Sequence, residues 1–421
     1  MTSKRNVTTR IVAIGDVGLV DDMVHLGDEA MFEQLVTMLR RRGIDDIVGI
    51  SSNPSETAAR YGISAVDRIG FAFTGADVRA RMIDRKARVL RAADGDLAAL
   101  GADDTAWGAI DAIRSSDAVA IAGGGNIASN WPLHIFERAA IGELAALFEK
   151  PLVITGQTIG PELTAADSPL VTTLLSSARL VGLREGASLA LVTKLGVPAA
   201  LLTHTVDDAS FLGSGTSPAD DPATCVVSLS MHLGGAPRDA FVERMAELLD
   251  GIVAMTALEI VFLAHFGSIH PGVSRGDSVL HDEVAAAMTS SRVRTVTPTT
   301  AIDAAVLARG AALIVTSRYH PAVFAVAGGV PTIGIPVDDY TTIKLTGALG
   351  NFGQSAILPV DDLLSGRGPR LVDATWNARG DIHSAGLKIA EDKKLGSEDW
   401  WDAVAAALRG GRFELTVTLL S

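Results

Sequence analysis

Short apolar segments alternate with longer stretches of mixed character along most of this 421-residue chain. The apolar segments, such as residues 11–14 and 180–183, span four or five residues, and most are followed by a stretch long enough for a helix. Continuous apolar runs of this length are typical of strands in a buried parallel sheet. The alternation therefore predicts an α/β fold made of doubly wound, Rossmann-like βα units.

The predicted strands form two series, separated by a segment rich in Gly, Ser, Pro and Asp. That composition is typical of a linker, and it divides the chain into two domains. Two facing Rossmann-like domains imply a ligand cleft between them, at the carboxyl ends of the strands. The first series is 11–14, 47–51, 69–73, 118–122, 152–155, 180–183 and 200–203, and the second is 225–229, 260–263, 313–315 and 332–335.

We therefore predict an N-terminal domain at 1–212, a linker at 213–222, a C-terminal domain at 223–360 and an extension at 361–421. Helices of the second domain are expected near 238–250, 300–308, 321–327 and 340–349. The extension is predicted to be irregular up to a helix around 399–408, which packs back on the domains. The first helix of the chain is expected to begin at an Asp28 cap and to end at 40–43, with an acidic start and a basic end that suit the helix dipole.

The charge balance narrows the range of partners. The chain has 36 Lys and Arg residues against 49 Asp and Glu residues, a formal net charge of −13. This charge disfavours a nucleic-acid partner, because a polyanion would be repelled at long range. A small anion is not excluded, because a local group of basic side chains outweighs charges screened beyond about 8 Å.

The cell compartment is indicated by what the sequence lacks. Cys225 is the single cysteine, so no internal disulfide is expected, and no spaced Cys/His set predicts a metal site. The longest stretch without charged side chains, 118–136, contains three consecutive glycines and Pro132, which disfavour a transmembrane helix. With no apolar signal core before the first strand, we expect a cytoplasmic protein. Peripheral contact with the inner face of a membrane and homo-oligomerisation are left open.

The segment Thr316-Ser317-Arg318-Tyr319-His320-Pro321 is the most informative candidate site. It follows an apolar strand and precedes an apolar helix, and Pro321 suits the first helical position. Ser317, Arg318 and His320 would therefore lie beside free N–H groups at a helix N-terminus, where a phosphate or carboxylate is favoured. The alternative is that Arg318 pairs with a neighbouring carboxylate and that His320 only caps the helix.

Two further cations are candidates for the same anion. Lys344 lies near the start of the next helix, and Arg184 ends the apolar run 180–183 in the first domain. Each has a plain alternative: Lys344 as a solvated helix residue, and Arg184 as the ion-pair partner of Glu185 or another acid.

A possible sugar-binding group lies in the first domain. Glycines at strand ends let a ligand approach the backbone closely, and polar side chains beside them can bind hydroxyls. A tight turn without a ligand is the alternative for the glycines, and a helix cap is the alternative for Asp28. The predicted acceptor-binding residues are Gly124, Gly125, Asn126, Gln157, His25 and Asp28.

Taken together, several segments resemble the polysaccharide pyruvyl transferases. The resemblance rests on Gly27-Asp28-Glu29-Ala30-Met31, Ala122-Gly123-Gly124-Gly125, Gly156-Gln157-Thr158-Ile159-Gly160-Pro161, Leu183-Arg184-Glu185 with Ser188, Asp207-Asp208-Ala209 and Ser317-Arg318-Tyr319-His320-Pro321, followed by Gly329-Val330-Pro331 and Lys344.

The resemblance implies the two-domain architecture of GT-B glycosyltransferases and a site formed by Arg184, Arg318, His320 and Lys344. It also implies phosphoenolpyruvate as co-substrate, a saccharide acceptor carried on lipid, nucleotide or polymer, and no cofactor or metal. The loop 16–25 departs from the family pattern.

The chemistry implied by this resemblance explains the residue types. Phosphoenolpyruvate carries a phosphate and a carboxylate, so several cations would bind it, and a ketal requires a proton on the terminal carbon. His320 is the expected acid, because a bound anion favours the protonated imidazole. Two alternatives remain: a nucleotide-sugar glycosyltransferase, in which Asp338 or Asp339 would hold a ribose, and a sugar-binding protein without turnover.

Overall fold

The computed structural model describes residues 9–215, 223–297 and 300–411, which form two compact units. The first unit comprises residues 9–18, 31–208 and 397–411, and the second comprises the described residues of 19–30 and 209–396. Each unit is therefore assembled from separate parts of the chain, whereas the sequence analysis predicted contiguous domains. Most of the predicted linker, 216–222, lies outside the described residues.

The first unit contains a parallel sheet in the order β4-β3-β1-β5-β7-β8-β9, with β6 paired to β7. Alternate strand residues point to opposite faces, so Val12 and Ile14 belong to one apolar core and Ile11 and Ala13 to another. The strands are β1 (Arg10–Ile14), β3 (Asp46–Ser51), β4 (Ser64–Asp67), β5 (Ala118–Ile121), β6 (Gly124–Ile127), β7 (Leu152–Ile159), β8 (Leu180–Leu183) and β9 (Leu202–His204).

Helices cover both faces of this sheet. The last turns of the C-terminal helix also contribute to the core, where Trp401 is fully buried. The helices are α1 (Leu26–Arg41), which begins in the second unit, α2 (Pro54–Tyr61), α3 (Val78–Ala93), α4 (Ala106–Ser115), α5 (Pro132–Leu147), α6 (Ser168–Ser177), α7 (Gly186–Lys194) and the end of α15 (Arg379–Leu408).

The second unit contains a parallel sheet in the order β13-β11-β10-β14-β15 and a small antiparallel pair, β2 with β12. The strands are β2 (Met23–His25), β10 (Thr224–Ser228), β11 (Glu259–Leu263), β12 (Phe266–Ser268), β13 (Val293–Val296), β14 (Leu313–Thr316) and β15 (Thr332–Gly334). The helices are α8 (Arg238–Thr256), α9 (Asp277–Ala287), α10 (Ala301–Arg309), α11 (Tyr319–Val326), α12 (Asp339–Gly350), α13 (Val360–Leu364), α14 (Gly368–Asn377) and most of α15.

The α/β class with doubly wound parallel sheets is confirmed, but the secondary structure predicted for two segments was wrong. Residues 69–73 are not a strand; β4 lies earlier, and Ile69 and Phe71 are buried as irregular chain against the core. The stretch after residue 360 is largely helical, in α13, α14 and α15, and was missed because many of its side chains are polar and exposed. Across the described ranges, no helix is both long and apolar enough to cross a bilayer.

Candidate functional site

The switch point of the second sheet lies at the carboxyl ends of β10 and β14. β10 is the first strand of this sheet in the chain and lies between β11 and β14, so the connections run outward in two directions from it. In open α/β sheets, ligands bind beside the carboxyl ends of strands at such a point. Ser317 directly follows β14, and its hydroxyl accepts a hydrogen bond of 2.8 Å from the Ser230 backbone N–H, which follows β10. The predicted segment 316–321 therefore lies at this switch point.

Hydrogen bonds from Thr316 turn the chain from β14 into α11. The Thr316 hydroxyl accepts from the Arg318 backbone N–H at 2.9 Å and donates to the Ser228 carbonyl at 2.8 Å. Arg318 has an extended backbone, and the helix begins at Tyr319. Pro321 is consequently the third helical residue and not the first, a position that also needs no N–H because the first helical amides have no carbonyl partner within the helix.

Arg318 forms a bidentate ion pair with Asp277. Its Nε and Nη2 atoms lie 2.8 and 2.5 Å from the two carboxylate oxygens of Asp277, which is fully buried. Burial opposes ionisation of Asp277, but the charge and hydrogen bonds of Arg318 outweigh it and hold the pKa of the carboxyl below its ordinary value. The pairing foreseen as the alternative for Arg318 is thus present. It fixes the guanidinium at the switch point while 22% of the side chain stays exposed.

His320 is enclosed by aromatic rings and by the first turn of α1. Its ring lies 5.1 Å from that of Tyr319, edge to face, and 5.9 Å from that of Phe324. A Cβ atom at Gly27 would lie 2.0 Å from His320 Nδ1, so only glycine leaves room for the imidazole. Two motifs that are almost 300 residues apart in the sequence therefore meet within one unit.

Because Gly27 lies so close to the His320 ring, adding one methyl group at this glycine should disturb the ring. Gly27→Ala is expected to displace the His320 ring and to lower any activity that depends on it by about 10- to 100-fold, the usual consequence of misplacing a reacting group by about 1 Å. Gly251→Ala in α8 is the matched control, since its Cβ meets nothing within 4 Å. Steady-state kinetics of both variants test this. Equal activity of the two would show that the position of His320 does not matter.

His25 and Asp28 fold with the second unit, although they were predicted in the first domain. α1 begins at Leu26, so the prediction of Asp28 as its cap was wrong. Asp28 lies in the first turn, where its carboxylate is 2.8 Å from His25 Nδ1. The expected acidic first turn and basic last turn are both present. The helix starts earlier because the preceding residues form β2, which pairs with β12 and leads directly into α1.

Lys344 packs on the aromatic side chain next to His320. Its ammonium nitrogen lies 4.8 Å from the centre of the Tyr319 ring and 4.7 Å from that of Tyr340, and it donates a 3.1 Å hydrogen bond to the Tyr340 hydroxyl. These are cation–π distances, so the side chain is held in place and is not simply solvated. Asp338 caps the helix that carries Lys344, since it accepts from the Thr341 backbone N–H.

Two buried histidines support the loops after β10 and β11. His265 Nδ1 lies 3.0 Å from the Ser228 hydroxyl, and His281 Nε2 lies 2.8 Å from the Leu229 backbone nitrogen. Burial lowers the pKa of His265 to about 3 and that of His281 to about 4, so both are neutral near pH 7. The supporting roles of His265, His281 and Asp277 were not predicted from the sequence, because no motif marks a residue whose role depends on its tertiary neighbours.

The first unit holds the other predicted residues, and Arg184 is the most buried of them. Its side chain has no exposed surface and pairs with Glu185 at 3.1 Å and Asp207 at 2.5 Å. Nε also donates to the Thr158 hydroxyl at 2.8 Å. The ion-pair alternative for Arg184 is therefore present, and its part in donor binding stays a prediction.

The buried Asp208 side chain explains why two positions of the first unit require glycine. A Cβ at Gly123 or Gly156 would lie 2.7 Å from the Asp208 carboxyl group. The carboxyl accepts from Thr155 at 2.5 Å and from the Gly123 N–H at 3.2 Å, and burial raises its pKa to about 7. These glycines are needed for packing around a buried acid, whether or not a ligand approaches them.

The predicted acceptor residues of this unit lie next to these glycines. Gly124, Gly125 and Asn126 belong to the short strand β6 and not to a turn. Gln157 is buried, and its amide donates to the Ala122 carbonyl at 2.6 Å. Within the residues that the structure covers, no group of three His, Cys, Asp or Glu side chains is arranged to hold a metal ion.

Solved structures with a similar fold are sugar-nucleotide enzymes and glycosyltransferases. MnaA from S. aureus, solved with UDP, aligns over 97% of this chain and 100% of its own, with a TM-score of 0.62 and 9% identity. CalG4, the calicheamicin glycosyltransferase, aligns over 95% and 98%, with a TM-score of 0.55 and 16% identity. The UDP-GlcNAc 2-epimerase from Methanocaldococcus jannaschii aligns over 88% and 93%, with a TM-score of 0.52 and 12% identity. The fold is thus of the GT-B class, with two Rossmann-like units.

Sequence comparison identifies the family within this fold class. The family model for polysaccharide pyruvyl transferases matches residues 25–339, about three quarters of the chain. The chain therefore belongs to the polysaccharide pyruvyl transferase family. Comparison with curated protein sequences gave no significant match.

Proposed function

We propose that this protein transfers the enolpyruvyl unit of phosphoenolpyruvate to hydroxyls of a saccharide and forms a pyruvate ketal, in the biosynthesis of a cell-surface polysaccharide or glycoconjugate. The observation that carries the proposal is the placement of His320 and Arg318 side by side at the switch point of the second unit. A titratable group, an oriented cation and a helix N-terminus there suit a small anionic substrate that must be protonated. Membership of the family supports the same reaction.

The binding step would use the positive groups around α11. Asp277 fixes the orientation of the Arg318 guanidinium, and the N–H groups of the first turn of α11 add partial positive charge. Lys344, held on the Tyr319 ring, would supply a second cation near the same turn. A phosphate and a carboxylate on one small molecule would match this combination of fork-shaped and compact cations.

The chemical step would use His320 as the acid. The imidazolium proton moves to the methylene carbon, which becomes a methyl group, while a saccharide hydroxyl oxygen bonds to the central carbon. The bond between that carbon and the phosphate oxygen then breaks, and a second hydroxyl closes the ketal. Of the two hydroxyl protons, one returns to His320 and the other leaves with phosphate. Lys344 would stabilise charge on the departing phosphate.

A nucleotide-sugar glycosyltransferase is the alternative that the GT-B fold itself raises. It would require a ribose-binding acid after β15, for which Asp338 and Asp339 are the two candidates. The Asp338 carboxylate caps α12 and contacts His232 at 2.9 Å, whereas Asp339 lies in the first turn of α12 and is exposed. Membership of the pyruvyl transferase family, which the fold alone does not specify, favours pyruvyl transfer over this alternative.

Ligand-dependent melting separates the two reactions. Phosphoenolpyruvate is expected to raise the melting temperature by an amount that grows with the logarithm of its concentration, since it binds the folded state, whereas UDP-sugars should not. Phosphate release from phosphoenolpyruvate with saccharide acceptors, run beside nucleotide-sugar consumption, provides the second measurement. A melting shift with UDP-sugars and none with phosphoenolpyruvate would establish the glycosyltransferase instead.

A further inference from the structure

A second polar cluster lies at the switch point of the first unit and includes one predicted acceptor residue, Asn126. β1 lies between β3 and β5, and the chain proceeds outward from it in both directions, so the carboxyl ends of β1 and β5 border this unit's crevice. Asp16 follows β1, Asn126 lies in the strand after β5, and His134 lies in the first turn of α5. Arg68 follows β4 and reaches the same place, where its Nη1 donates to Asp16 Oδ1 at 2.6 Å.

The inner part of this cluster is a buried network that holds Arg68. Glu137 is almost fully buried and accepts hydrogen bonds from both Arg68 and Arg138, the latter at 2.7 Å. His134 Nδ1 faces the same two guanidinium groups at 3.3 and 3.5 Å. That nitrogen must therefore be the acceptor, which leaves the proton on Nε2, toward Asp16.

Asp16 is the exposed end of this network. Its side chain is 27% exposed, and Oδ2 lies 3.5 Å from Asn126 Nδ2 and 3.6 Å from His134 Nε2. These contacts are at or beyond the limit of a hydrogen bond, so Oδ2 can still accept a shorter one from a ligand. Burial raises the pKa of Asp16, but His134, Arg68 and Arg138 together lower it below its ordinary value. The carboxylate therefore stays ionised and acts as an acceptor of hydrogen bonds.

The charges of the cluster indicate the kind of ligand. Asp16 and Glu137 balance Arg68 and Arg138, and burial lowers the pKa of His134 to about 4, so the histidine is neutral at pH 7. A site without net charge gives no preference to an anion. A carboxylate oxygen beside a side-chain amide can instead bind neighbouring hydroxyls, which both donate and accept.

We infer that Asp16, with Asn126, forms a subsite of the first unit that binds the hydroxyl groups of a saccharide, while Arg68 holds the Asp16 carboxylate in position. The inference rests on the proposed function in one respect, namely that the saccharide bound here is the acceptor of pyruvyl transfer. Asp16 orients the saccharide and takes no proton from it, because a strongly acidic carboxyl is a poor base. The atypical loop after β1 thus begins with the residue that recognises the sugar.

Saturation-transfer NMR measures sugar binding directly and tests the subsite without any turnover. The ligands are the methyl glycosides of galactose, mannose and N-acetylglucosamine. At least one is expected to bind the unmodified protein, and Asp16→Asn should weaken it about 10- to 100-fold, the scale of a lost hydrogen bond to a charged group. Asn126→Ala should weaken it less, because a hydrogen bond to a neutral amide contributes less than one to a carboxylate. Asp46→Asn is the control, because Asp46 also pairs with an arginine in this unit, Arg10, but at the start of a strand.

The outcomes distinguish this inference from the proposed function. Equal affinity of the Asp16→Asn and Asp46→Asn variants, or no binding of any of these glycosides, overturns the subsite. If binding depends on Asp16 but no phosphate is released from phosphoenolpyruvate, the subsite stands and pyruvyl transfer is overturned. If phosphate is released and Asp16→Asn changes neither sugar affinity nor the sugar KM, only the subsite is overturned.

Discussion

Replacing His320 by asparagine is expected to lower turnover with phosphoenolpyruvate by about 100-fold or more, the usual contribution of a positioned proton donor. Asparagine keeps a polar side chain of similar reach beside Arg318 but cannot deliver a proton at neutral pH. The affinity for phosphoenolpyruvate should change little, because the ion pair of Arg318 with Asp277 stays intact. Single-turnover phosphate release and calorimetric donor binding measure the two quantities separately.

His270→Asn provides the control for this experiment. His270 is in the same unit and contacts a carboxylate, Asp22, at 3.3 Å, but its side chain is 56% exposed and distant in sequence from the α11 turn. Its replacement is expected to leave turnover within about twofold of the unmodified protein, as for most surface changes. If His320→Asn retains circular dichroism and near-native turnover, His320 is not the acid, and its burial against Gly27 serves packing alone.

Arg184→Ala is expected to lower the free energy of unfolding by about 3–5 kcal/mol, the cost of breaking a buried ion pair by removing one partner. Arg184 has no exposed surface, and its loss would leave Asp207 and Glu185 as buried carboxylates without their common cation. Urea unfolding followed by circular dichroism measures the change. Arg184→Lys should recover only part of it, because a single ammonium cannot reproduce the separate bonds of the guanidinium fork.

Arg114→Ala is the matched control for Arg184. Arg114 pairs with Asp111 at 2.9 Å in the same unit, but both side chains are largely exposed, so the loss should not exceed about 1 kcal/mol. If Arg184→Ala unfolds like the control and loses only phosphoenolpyruvate binding, then Arg184 contacts the donor, as the resemblance implied. A large loss of stability would instead identify it as the centre of a structural ion-pair network.

The sequence by itself determined the apolar strands at the centre of both sheets and the position of the second-unit site, but it did not predict β2, β4, β6, β12 or β13. β8 occupies the predicted residues, and most other predicted strands differ by one or two residues at an end, because a continuous apolar run is a local property. The segment 316–321 was predicted at the end of a strand and the start of a helix for the same reason, and β14 and α11 meet there. Ser317, Arg318 and His320 could thus be located before any contact was known.

Only the tertiary structure decided which residues those side chains meet. Asp277 is the partner of Arg318 although it lies 41 residues earlier, and Gly27 makes room for His320 across almost 300 residues. Residues 19–30 join the second unit because β2 pairs with β12, a pairing that no local pattern specifies. Such contacts depend on which elements pack together, and the hydrophobic pattern determines that an element is buried but not which neighbour covers it.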